Sequence, residues 1–396
     1  MRRKLLLVFA CALAGVMMLS CASGPSGESS EPPVDVSETN STEVSEPKAN
    51  TDDVFVKTKE YEGQTVRVLT AAFNSSYRSE ITVSNEEEGW PEVLQDAISN
   101  RTDAVEEEYG ITIEEEIMID SKRYNGAFLT RVRELVYTNL CEYDLLYPCM
   151  LDAGTMAAEG LLINLDGRED IRIKNSWWSQ PLIEDTSILG TYFITGDIGL
   201  RTKNAANCLF FNKAVFDEHH MEYPYDLVRS GAWTLDKMAA MVKELDISSD
   251  LDGDRVITYH DEFGVAGQRG NLAALLYASG QRIASVGEDG LPYLSFYSEQ
   301  SAKVIEDALE LMQNKSYFVI GDDYFNESPT PMVMLLDSFK ANQCPFYMGG
   351  LEDALKLGDM ESEFGILPLP KYDTHTDEYS NLAGAWSSNV YCIPYG

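Results

Sequence analysis

Beyond residue 60 the chain alternates between two hydrophobic rhythms. Residues 65–69 (TVRVL) place apolar side chains at every second position, which predicts a strand. Residues 90–109 then carry them at helical spacing up to Gly110, and 111–117 return to a strand-like pattern. A helix over 126–139 and an apolar strand over 143–147 (YDLLY) follow. A second series starts with a strand at 208–212 and continues with helices near 213–218, 235–245, 272–279 and 302–312. Further strands are expected at 346–348 and 364–367. Strands that alternate with helices of this length predict an α/β fold with parallel sheets covered on both faces. Ligands of such sheets sit beyond the carboxyl ends of the strands.

The first sixty residues read differently. Arg2, Arg3 and Lys4 precede an apolar run over 5–19, then Ser20 and Cys21. This is the three-part pattern of an export signal, and the run is too short to span a bilayer. From Ala22 to Asp53 the sequence is mostly Ser, Glu, Pro, Thr and Asp, which offers little to bury and predicts a disordered tether. Met18-Leu19-Ser20-Cys21 resembles the bacterial lipobox, which implies a diacylglyceryl group and further acylation (palmitate) on Cys21. The mature protein would then be a lipoprotein beginning at that cysteine, lipid-anchored at the extracellular face of the cell membrane. An ordinary signal peptide cut after Ser20 or Ala22 is the alternative.

About 340 residues remain, which suits two lobes better than one core. The formal net charge of −35 excludes a nucleic-acid partner, because no basic stripe is available to displace counterions, and it favours solubility at a crowded surface. Seven cysteines include Cys11 in the signal and Cys21 at the lipobox. The other five, Cys141, Cys149, Cys208, Cys344 and Cys392, have no spacing of a disulfide framework or a metal knuckle and read mostly as small buried hydrophobes.

Three segments carry a resemblance. Residues 209–216 (LFFNKAVF), Pro224 and 231–236 (GAWTLD) are similar to the strand-to-helix stretch of the carbohydrate-type solute-binding proteins that feed bacterial ABC importers. Tyr143-Asp144-Leu145-Leu146-Tyr147 with Asp152 and 160–165 resembles a second element of that family. Residues 364–371 (FGILPLPK), Gly384-Ala385-Trp386 and 390–394 resemble the return to the first lobe. Family 1-like membership implies a periplasmic-binding-protein-like fold, with two α/β lobes, a hinge and an interlobe cleft.

The implied layout is a signal peptide at 1–20 and an acidic tether at 21–60. The first lobe takes 61–207 and 380–396, and the second takes 208–379. Family members continue beyond the return strand, so ending at Pro394-Tyr395-Gly396 suggests a fragment with an incomplete first lobe. The implied hinge includes 209–212 and 388–393. The implied function is capture of a small solute, a sugar or oligosaccharide, for delivery to an ABC transporter permease. A secreted carbohydrate-active enzyme and a surface interaction lipoprotein are the alternatives.

Sugar sites need flat rings beside polar side chains. Strand ends and loops offer Phe73, Asn74, Tyr147, Asp152, Asp197 and Trp386 as a set, although core packing is the commoner fate of any one ring. Trp177 and Trp178 are adjacent, so one of them should be core, and Trp233 reads as a packing residue at a helix start. His219, His220, His260 and His375 form no catalytic signature, and the chain contains no HExxH, GxSxG or phosphate loop. No catalytic residue and no required cofactor is expected.

Residues 250–261 (DLDGDRVITYHD) place acids at loop positions 1, 3, 5 and 12, the spacing of a calcium loop. The candidate ligands of a structural Ca2+ are Asp250, Asp252, Asp254, Asp261 and the carbonyl of Val256. Arg255 stands where such loops carry glycine. A solvated acidic turn is the alternative.

Overall fold

The computed structural model describes residues 61–74, 77–83, 90–375 and 378–396. The signal peptide, Cys21 and the tether lie outside the described residues. No helix among those described is long and apolar enough to cross a membrane.

The first sheet begins with β1 (Thr65–Ala72), β2 (Thr112–Ile119), β3 (Leu145–Tyr147) and β4 (Phe193–Ile194). β1 is parallel to both β2 and β3. Alternate residues of β1 serve two cores. Val66 and Val68 pack with Val105, Tyr109 and Tyr147 on one face, while Leu69 and Ala71 pack with Phe128, Leu129 and Val132 on the other. Burial of both faces is what a parallel sheet between helix layers requires. The helix Glu92–Tyr109 stops at Gly110, whose φ of 65° is left-handed, and its N–H bonds back to Glu106.

The second lobe is built on β5 (Asn207–Asn212), β6 (Val265–Gly267), β7 (Ala284–Val286), β8 (Pro292–Leu294), β9 (Phe318–Ile320), β10 (Phe346–Gly350) and β11 (Phe364–Leu367). Its main sheet has the order β11-β5-β10-β6-β9, and β7 with β8 forms a separate hairpin. Leu209 and Phe211 of β5 face the core that holds Trp233, Met238 and Val242, while Cys208 and Phe210 face the one that holds Leu335 and Phe339. Trp233 is fully buried at the start of the helix Leu235–Leu245, and its indole donates to the Pro368 carbonyl at 3.0 Å. Trp178 is core and Trp177 packs at its margin.

The chain returns to the first lobe in β12 (Tyr391–Cys392), which lies antiparallel between β3 and β4 and gives the order β2-β1-β3-β12-β4. The expected hinge segments need correction. Residues 209–212 lie inside the second sheet and β12 inside the first. The crossing is instead at 205–207 beside 382–384, where Asn207 N–H donates to Leu382 O at 3.1 Å and Gly384 N–H to Ala205 O at 3.0 Å. A strand held by neighbours on both sides resists bending, whereas 205–207 and 382–384 share the single bridge Ala206 to Ala383, with Leu351 N–H donating to Ala206 O at 2.9 Å from the other side.

A second contact between lobes lies away from the crossing. Leu189 N–H donates to Gly290 O at 3.1 Å, and Arg282 lies 3.7 Å from Asp185. All five described cysteines are free thiols, four of them buried.

Candidate functional site

A cleft of about 500 Å³ opens between the lobes. Phe73 and Asn74 enter it directly after β1, as the strand-end rule expects. Trp386, Ser387 and Asn389 come from the return segment, and Glu352, Leu355 and Lys356 face them from the second lobe. Asn389 fixes the first wall. Its buried amide donates to Ala71 O and to Tyr147 O, both at 2.9 Å, and so ties the ends of β1 and β3 together. The Cys149 thiol donates to the carbonyl of Ala385 at 3.2 Å and steadies the backbone that carries Trp386.

The rings of Phe73 and Trp386 meet edge to face, with centroids 6.2 Å apart, and are 41% and 48% exposed. The Arg123 guanidinium lies over both, 5.3 Å from Phe73 and 5.6 Å from Trp386, and its Nη1 donates to Asp120 O at 3.0 Å. This stacking sets the two rings at the cleft edge. Arg201 lies over the Tyr77 ring at 4.5 Å, and both residues line the same cleft.

Near Tyr77 and Arg201 is a buried polar group. Glu80 accepts hydrogen bonds from Tyr147 Oη at 2.9 Å and Leu200 N–H at 2.8 Å, while Arg101 donates to its backbone carbonyl. Burial pushes the Glu80 carboxyl above its ordinary value, although these hydrogen bonds and the charges of Arg201 and Arg101 oppose the shift. Burial likewise pushes the Tyr77 and Tyr147 phenols well up.

Of the six residues singled out from sequence, Phe73, Asn74 and Trp386 come together at this cleft. Tyr147 is fully buried and stacked on Tyr391, with centroids 4.3 Å apart. Asp152 is also buried. It accepts from Tyr124 N–H at 2.7 Å, and burial raises its pKa. Asp197 lines a separate depression with Trp177 and Trp178 and pairs with Lys203 at 2.9 Å. Arg123 escaped the sequence reading although it follows β2 much as Phe73 follows β1, so the same strand-end rule reaches it. Nothing in the pattern marks Arg201.

The acidic loop stands apart in the second lobe. Ligand oxygens of Asp250, Asp252 and Asp254 lie within 4.8 Å of one another. Asp250 accepts from the N–H groups of Gly253 at 2.6 Å and Arg255 at 2.8 Å, and Asp254 accepts from Val256 N–H at 2.7 Å. Arg255 takes the left-handed conformation, with φ 71°. Asp261 is buried and is not part of that trio; it accepts from the N–H groups of Leu251 and Thr258, both at 2.8 Å. Burial alone would raise its pKa, but these hydrogen bonds outweigh that and lower it.

No family model matches the chain, and no curated protein matches it in sequence. Solved structures do match its fold. UspC of M. tuberculosis aligns over 83% of this chain and 72% of its own, at 11% identity and a TM-score of 0.51. An ABC substrate-binding protein from Listeria monocytogenes, in complex with cycloalternan, aligns over 84% of this chain and 71% of its own, at 12% identity and a TM-score of 0.49. A sugar transporter from Rhizobium etli in an open conformation aligns over 83% and 71%, at 13% identity and a TM-score of 0.49. The chain thus has a two-lobed α/β fold, and the likeness to UspC is a likeness of fold.

Proposed function

We propose that the protein captures a small solute, a sugar or oligosaccharide, between its lobes and delivers it to the permease of an ABC importer. The observation that carries this reading is the interlobe cleft of about 500 Å³, with the half-exposed Phe73 and Trp386 rings on one wall and the second lobe opposite. A cleft of this size suits a small ligand. Its exposed rings suit the apolar C–H faces of a sugar, with Asn74 and Asn204 alongside for hydroxyls. Contacts made by both lobes at once would favour the closed form, since a ligand shifts an equilibrium by its differential affinity for the two states.

Cys21 carries the lipid that holds the protein beside its permease at the outer face of the membrane, and the tether over 21–60 gives it reach. The loop over 250–261 is a structural calcium site that braces the second lobe, a reading supported by its three convergent carboxylates.

The test is a thermal-shift screen of mono- and oligosaccharides, followed by recovery of the sugar. A bound sugar at a hundred times its Kd should add about 2.7 kcal/mol to stability and be recovered intact. Turnover of the sugar would replace this reading with an enzyme.

A further inference from the structure

The cleft is at odds with the chain around it. The protein has 65 acidic and 30 basic residues, yet the wall of the cleft carries Arg78, Arg123, Arg201 and Lys356 against Glu352. Lys356 can be set aside, since it pairs with Asp353 at 2.6 Å.

Arg123 and Arg201 cannot be set aside. Among the described residues, neither has a carboxylate within ion-pair distance. Arg123 is 7% exposed, and the buried Nε atoms of both arginines have no hydrogen-bond partner. The Tyr77 hydroxyl, beneath Arg201, is unpartnered too. Glu80 is near enough to feel the charge of Arg201 but makes no bond to it.

Asp152 likewise feels the charge of Arg123 without pairing with it. Burying guanidinium groups short of a directly paired carboxylate is costly, and a neutral ligand would leave that cost in place. A ligand oxyanion would remove it, because the guanidinium fork matches a carboxylate, sulfate or phosphate through paired, charge-assisted hydrogen bonds.

We infer that the solute of this cleft is an acidic saccharide, with its oxyanion held by Arg123 and Arg201 and its ring face against Phe73 and Trp386. The inference rests on the sugar-binding reading above and narrows it. In an acidic protein, two arginines on the cleft wall, Arg123 buried and Arg201 half-buried with a buried Nε, select for charge while the rings select for a sugar face. Neutral hexoses satisfy only the second condition.

The experiment is calorimetric titration of the full chain with matched sugars at low and high salt. The sugars are glucuronate and galacturonate oligomers, sulfated and phosphorylated sugars, and the neutral parent of each. At least one acidic form should bind about tenfold or more tighter than its parent, and salt should narrow the gap. The acid that wins identifies the oxyanion. Arg201→Gln should weaken the acidic sugar by more than it weakens the neutral one. The inference fails if the neutral parent binds as tightly as every acidic form, a result that would leave the sugar-binding reading standing. It also fails if a folded Arg201→Gln protein keeps the full preference. If that variant does not fold, the comparison of acid with parent on the unaltered chain decides alone. Silence toward every sugar, acidic and neutral, would instead remove the sugar-binding reading itself.

Discussion

The Glu80 carboxyl is fully buried with one oxygen lacking a partner, and that makes its charge a liability to the fold. Its folded pKa lies above the unfolded value of 4.5, so folding takes up a proton. The stability that this group contributes is present below that value and is lost as pH rises through the folded pKa. Glu80→Gln, which cannot ionise, should therefore gain on the unaltered protein as pH rises above 4.5, and denaturant titrations at pH 4 and pH 8 would measure the difference. Trp386 is the converse case, a half-exposed ring whose removal costs the fold little. Trp386→Ala should stay within about 0.5 kcal/mol in stability. It should weaken solute binding by about 2 kcal/mol, roughly thirtyfold in Kd.

Elements that carry their own start and stop signals were legible in the sequence. The helix Leu235–Leu245 begins where Thr234 accepts from Lys237 N–H at 3.3 Å, and Thr234→Ala should cost about 1 kcal/mol in chemical denaturation. Strands β5 and β11 are long enough to display their apolar runs. By contrast β4, β6, β9 and β12 have two or three residues each, and so brief a run shows no period. The cleft was legible where it follows a strand end, as at Phe73. It was opaque at Arg201, because that residue reaches the site from the four-residue helix Arg201–Asn204 and its role depends on the stacking with Tyr77. The acidic loop makes its own prediction. Calcium should raise the melting temperature of the unaltered protein, and Asp252→Ala should abolish the rise; no response to calcium in the unaltered protein would remove the site.

At the scale of the molecule, two lobes with separate cores meet at a short crossing, at the cleft and at the hairpin that touches Leu189. Closure on a solute should lower the radius of gyration measured by small-angle scattering, since a ligand that contacts both walls favours the state in which they are closest. The free thiols offer a second way to follow the lobes. Cys392 lies in the first core and Cys344 in the second, and burial pushes both above the ordinary thiol range, so neither presents the thiolate that an alkylating reagent attacks. Each becomes reactive only when its own lobe opens, which makes the chain a pair of built-in clocks. If solute couples the lobes, its addition should slow both clocks together, whereas a ligand held by one lobe would slow one and leave the other running at its former pace.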